Sequence, residues 1–197
     1  MYIDTQQALE DFVAGALGAQ ILALDTEFLR EKTYCPQLCL LQASVDGRKI
    51  VLIDPLAPLD LTVLIPLLID ERTTKIFHAG DQDLAILYQE LGVVARPLFD
   101  LQRAALLLGM PQQSSLVDLL KRFCGVSLTK GESFSDWARR PLEPAQLSYA
   151  EDDVRYLPRA YEQIIEELQA QGRLSWLEDE FKDLEDEERY RFNPLAA

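Results

Sequence analysis

Histidine occurs once in the 197 residues, as His78, and the three cysteines, Cys35, Cys39 and Cys124, are odd in number and form no C-x-x-C pair. The spacing of a tetrahedral zinc site built from Cys and His is therefore lacking, and reduced, buried thiols are the expectation. Long apolar runs are missing too. None approaches the ~20 residues needed to span a bilayer, and no basic segment leads into an apolar one near Met1. The sequence thus predicts a cytoplasmic protein with no membrane partner. Basic residues are few: 19 Lys and Arg stand against 33 Asp and Glu, a formal net charge of −14. That balance excludes a broad cationic surface and leaves only weak, locally directed binding of a polyanion.

What is present is material for a core. Hydrophobic residues make up 48% of the chain, well clear of the composition that leaves a segment disordered. The length suits one domain of the usual size with a short extension. The expected division is a domain over 1–176 and an acidic helical extension over 177–197, with no further helical domain. The acidic excess is concentrated from Glu178 to Glu188, and its default reading is a solvated helix face.

Ile3, Leu9, Phe12, Val13 and Leu17 recur at helical spacing behind Asp4 and Thr5, either of which can cap a helix, and Gly18 ends the pattern. Short apolar runs at Ile21–Leu24, Leu38–Ala43 and Ile50–Ile53 predict three strands in a meander. Helix and strand then alternate: a helical run from Leu59 to Leu68, a strand at Lys75–His78, a helix from Asp81 to Leu91, and helical runs at Leu101–Leu108 and Leu116–Phe123. After a polar loop around Lys130–Ser135, a long helix opens near Pro144 and is kinked or divided at Pro158. The fold class is α/β.

Three segments carry chemistry. In Leu24-Asp25-Thr26-Glu27-Phe28 an apolar strand ends in two carboxylates, and residues i and i+2 of a strand face one side. Asp25 and Glu27 can point into one cleft, where they repel unless a cation lies between them; the plain alternative is a solvated strand end. In Phe77-His78-Ala79-Gly80-Asp81-Gln82-Asp83-Leu84 a strand runs into a helix with two acids in its first turn. Capping and the helix dipole explain Asp81, whereas Asp83 sits where such a junction presents side chains over a sheet edge. His78 reads as packed or hydrogen-bonded rather than as a metal ligand. In Tyr149-Ala150-Glu151-Asp152-Asp153-Val154, Tyr149 and Asp153 share a helix face, and Asp152 points about 100° away. Here the alternative is a Tyr on the core stripe of Leu147, Val154, Leu157 and Tyr161.

In this order and on these elements, the segments resemble the ribonuclease D branch of the four-acid exonuclease superfamily, in the subgroup whose last motif is Tyr-x-x-x-Asp. The resemblance extends to Tyr34-Cys35-Pro36-Gln37-Leu38, Leu41-Gln42, Ile53-Asp54-Pro55-Leu56, His78-Ala79-Gly80, Phe99-Asp100 and Asp136-Trp137-Ala138-Arg139-Arg140-Pro141-Leu142, and runs to about Trp176. It implies a ribonuclease H-like 3′-5′ exonuclease fold, with a mixed central sheet flanked by helices. It also implies that Asp25, Glu27, Asp83 and Asp153 hold two divalent ions, Mg²⁺ or Mn²⁺. Asp25 would bridge them, Glu27 and Asp153 would serve the ion that carries the nucleophile, and Asp83 the other. Tyr149 would orient the attacking water.

An all-oxygen ligand set is itself what hard divalent ions prefer, and bound cations make an acidic site locally less negative than the net charge suggests. The implied activity is release of nucleoside 5′-monophosphates from the single-stranded 3′ end of RNA, in trimming of tRNA or other structural RNA. Phe28, His78 and Lys130 are candidate nucleic-acid contacts, Arg139 and Arg140 candidate phosphate contacts, and Trp137 a packing residue. One rival substrate is single-stranded DNA or a very short oligonucleotide, since two-metal chemistry does not need the 2′-hydroxyl. The other rival is a catalytically silent RNA-binding module, which the intact set of four acids and Tyr149 disfavours.

Overall fold

The computed structural model describes residues 1–30, 36–128 and 136–191; Cys35 and Lys130 lie outside them. Six strands form one mixed sheet: β1 (Tyr2–Ile3), β2 (Ile21–Leu29), β3 (Gln37–Val45), β4 (Lys49–Ile53), β5 (Thr74–Phe77) and β6 (Leu98–Asp100), in the order β1-β4-β3-β2-β5-β6. β2, β3 and β4 make the expected antiparallel meander. Its second hairpin closes through Asp46 and Gly47, at φ 48° and 65°, the Asp-Gly pair that a tight turn of this hand favours. β5 and β6 add to β2 in parallel and β1 adds to β4 in parallel.

Alternation along β2 divides the core. Leu22 and Leu24 face a layer containing Leu9, Phe12 and Val13 of α1 (Gln6–Ala16), Leu67 and Leu68 of α2 (Ile65–Leu68) and Leu84, Leu87 and Leu91 of α3 (Asp81–Leu91). Ala23 faces the opposite layer, built from α4 (Leu101–Leu106), α5 (Leu116–Cys124), α6 (Pro144–Arg155) and α7 (Leu157–Ala170). The chain leaves α3 through Gly92 at φ 69°, a left-handed exit that glycine takes without a Cβ penalty. Pro158 falls in the first turn of α7, so the expected division of the long helix occurs at Tyr156.

Ile3 is not on a helix face but in β1, hydrogen-bonded beside β4; a two-residue strand carries too little pattern to be read locally. β6, at three residues, is shorter than a recognisable period. The tail is the expected charged helix, with Glu178, Asp179, Glu180 and Asp183 exposed, but it also has an apolar face: in α8 (Leu177–Glu185) Leu177 and Leu184 are buried, Phe181 packs on both core layers, and the Glu185 carboxylate accepts from the backbone N–H of Leu98 at the sheet edge, at 2.8 Å. Cys39 and Cys124 are free and buried, as expected. Among the described residues no helix is long and apolar enough to cross a membrane.

Candidate active site

The period of two along β2 puts Asp25 and Glu27 on the same side as Ala23, beneath α6 and α7. α6 begins at Glu143, where a reciprocal capping box with Gln146 fixes its start, and then lays Tyr149 and Asp153 one turn apart over the strand. Carboxylate oxygens of Asp25, Glu27 and Asp153 all lie within 4.8 Å of one another. Next to them the register steps from Glu27 opposite Leu40 to Phe28 opposite Leu38. Cys39 is the extra residue of that β-bulge, a feature that re-aims side chains beside functional sites.

Asp83 reaches the site from the other layer and is not part of this trio. It lies buried in the first turn of α3, and its Oδ1 accepts a hydrogen bond from the hydroxyl of Thr26. The junction that presents it is tightly determined. Ala79 sits at φ 58°, a conformation that few side-chain-bearing residues adopt. A Cβ on Gly80 would stand 2.5 Å from that of Phe77, so only glycine fits. Buried Asp100, at the end of β6, accepts from the Gly80 N–H at 2.8 Å and from the Arg103 N–H at 3.0 Å, which caps α4 and ties the two junctions together. Asp81, read from sequence as a cap, instead pairs with Arg103 and with Arg189 from the tail.

The acids disfavour one another's charge. Burial, and then repulsion from Asp83, Asp153 and Glu27, pushes Asp25 well above the ordinary carboxylate range. Burial with Asp153 and Asp83 pushes Glu27 up to about 9. Asp153 is raised to about 7 by burial, against the lowering effect of a hydrogen bond from Tyr149. Asp83 is raised to about 6, burial outweighing the Thr26 hydroxyl. Carboxylates so crowded take up protons or a cation, and an all-oxygen set suits a hard divalent ion. The Tyr149 phenol is itself raised, by burial and by Asp153, Glu27 and Asp25, so it keeps its proton at neutral pH.

The remaining candidates separate. Phe28 is half-buried on β2 just past Glu27. His78 is half-buried, its Nδ1 lacks a partner among the described residues, and burial lowers its pKa. Trp137 is buried and packs 6.1 Å from the Tyr149 ring, as a packing residue should. Arg140 is not a free phosphate contact. Its guanidinium grips both oxygens of Asp54 at 2.7 Å and the carbonyls of Trp137, Arg139 and Cys39. Burial alone would raise Asp54, but the bonds from Arg140 and Tyr2 hold it below the usual range. Arg139 is exposed and only loosely paired with Glu143, at 3.6 Å. Sequence reasoning missed Thr26, Asp100 and the Asp54–Arg140 clamp, although both partners of the clamp lie in segments that carry the family resemblance.

The family model described as 3′-5′ exonuclease matches residues 1–169. The chain belongs to the 3′-5′ exonuclease family. Within it, the chain is similar to the ribonuclease D of Sphingobium indicum, at 43% identity over 99% of this chain and 50% of that protein. The crystal structure of Escherichia coli RNase D, described as an exoribonuclease involved in structured RNA processing, superposes with a TM-score of 0.92 at 35% identity, over 98% of this chain and 51% of that one. The 3′-5′ exonuclease chain thus spans about half the length of the curated relatives it matches. Brucella melitensis NrnC bound to pGG matches at 32% identity and a TM-score of 0.75, over 87% of this chain and 83% of that one, and NrnC is also known with bound Mg²⁺.

Proposed function

We propose that this chain is a metal-dependent 3′-5′ exoribonuclease that releases nucleoside 5′-monophosphates from single-stranded RNA 3′ ends, in trimming of tRNA or other structural RNA. The observation that carries the reading is the meeting of Asp25, Glu27 and Asp153 within 4.8 Å under a tyrosine that stays protonated. Two divalent cations, Mg²⁺ or Mn²⁺, supply when bound an activated water and charge neutralisation at the scissile phosphate and the departing 3′ oxygen.

The chain's own residues supply the rest. Asp25, Glu27 and Asp153, which meet in one cluster, and Asp83, which reaches Asp25 from the other layer, would act as the ligands. Tyr149 is a donor rather than a base, since its proton is held on Oη. It orients the attacking water from one helical turn before Asp153. Phe28 follows Glu27 on β2 and offers a contact to the terminal nucleotide, and His78 and Lys130 are further candidates. The domain is proposed to include 177–190, since α8 completes both core layers.

A second reading, hydrolysis of very short oligonucleotides, is favoured by the match to NrnC bound to pGG over most of both chains. Measuring kcat/KM on pGG, on a longer single-stranded RNA and on the matched DNA decides between them. Preference for the longer RNA supports the leading proposal, preference for pGG the second, and equal turnover of DNA would remove the ribonuclease assignment.

A further inference from the structure

Gln42, central on β3, is fully buried, and neither its side-chain nitrogen nor its oxygen has a hydrogen-bond partner among the described residues. A buried amide left unpaired is costly, and such groups are normally satisfied. The sheet limits what can satisfy it. Gln42 stands directly opposite Asp25 on β2 and opposite Leu52 on β4. Cross-strand partners project to the same face with Cβ atoms about 4.5–5.5 Å apart, and this face is closed by the buried Ala150 and Val154 of α6.

One step along the same face, Leu40 is opposite Glu27 and Ser44 is opposite Ala23. The charged acceptors among the paired β2 residues on this face are thus Asp25 and Glu27. The Ser44 hydroxyl, also buried and unpaired, is a donor on the same face.

We propose that Gln42 is a positioning residue for Asp25: when a divalent cation binds, its otherwise unpaired side-chain NH₂ turns to donate to the Asp25 carboxylate and fixes the orientation in which that carboxylate holds the cation. In that turned arrangement Ser44 would donate to Gln42 Oε1, so that three buried atoms unpaired in this structure are satisfied at once. Fixing a ligand through a hydrogen bond to its other oxygen is how outer residues tune a metal site. The inference rests on the reading of Asp25 as a ligand given above.

The test uses the whole chain and Mn²⁺ alone. Gln42→Met keeps the length and apolar volume of the side chain and removes the donor. Its melting temperature in EDTA should equal or exceed the parent's, because an unpaired amide has gone, while Mn²⁺ affinity by calorimetry falls about 10- to 100-fold. Parent-like Mn²⁺ affinity overturns the proposal. A second measurement needs no variant: in the parent, one of the two Gln42 side-chain amide protons should move downfield as Mg²⁺ is added, while its partner on the same nitrogen does not. Resonances that stay in place overturn the proposal even if Gln42→Met does not fold. Asp25→Asn separates the two levels. Undiminished Mn²⁺ binding there removes the metal reading itself, whereas loss of binding in Asp25→Asn with none in Gln42→Met removes only the role of Gln42.

Discussion

Thr26, the residue between the two acids of β2, donates its hydroxyl to Asp83 on α3, 57 residues away in sequence. It faces the layer opposite Asp25 and Glu27, so one strand positions two acids with its front and a third with its back. Thr26→Val keeps the branched shape and deletes the donor. Asp83, already raised to about 6 by burial against the lowering effect of Thr26, should rise further, and activity should fall about 10- to 100-fold. Thr26→Ser should retain activity. Rates over a Mn²⁺ titration check this, and equal rates for Thr26→Val and the parent would contradict it.

Tyr149→Phe should slow the chemical step by about 10²-fold and leave the fold intact, because the ring keeps its packing against Trp137. Single-turnover rates and thermal melts separate the two effects. A lowered melting temperature with an unchanged rate would make Tyr149 a core residue.

Stability without metal should fall as pH rises. In the folded state burial and mutual repulsion hold Glu27 at about 9 and Asp153 at about 7, above the 4.5 and 3.8 they return to on unfolding. The folded chain therefore binds more protons than the unfolded one across that interval, and the stability present at acid pH is lost as pH climbs through the raised values. His78, lowered from 6.5 by burial, acts in the opposite sense within the interval, but as one group against several acids, and above about 8 the buried Lys75, lowered to about that value by burial, also opposes the trend. The comparison therefore belongs between about pH 5 and about pH 8. Melts in EDTA should decline over this range, and excess Mg²⁺ should raise the melting temperature most at its alkaline end. A melting temperature in EDTA that climbs with pH would contradict this.

The tail should behave as core. Leu184 is 0% exposed, so Leu184→Ala should cost ~2–5 kcal/mol, read by urea unfolding. A solvated extension would lose nothing measurable.

What was legible in the sequence was local. Asp25 with Glu27 follows from a period of two, Tyr149 with Asp153 from one helical turn, and α3 from an apolar stripe ended by Gly92. The missed features join distant segments. Asp54 and Arg140 are 86 residues apart, and Glu185 reaches the edge strand at Leu98 across 87. The acidic run around Glu180 gave no sign that Arg103 and Arg189 would dock it beside Asp81. Asp83 shows both sides. Its helix could be placed, but the Thr26 bond that holds it comes from pairing strand and helix in space.

The central claim is that these acids carry out metal-dependent hydrolysis from the 3′ end. It is tested most directly by digesting 5′-labelled single-stranded RNA with Mn²⁺ or with EDTA, using the parent and Asp25→Ala. The expected result is a ladder receding from the 3′ end, with nucleoside 5′-monophosphates released, for the parent with Mn²⁺ alone. Shortening by Asp25→Ala or in EDTA, or internal fragments in place of a ladder, would contradict it.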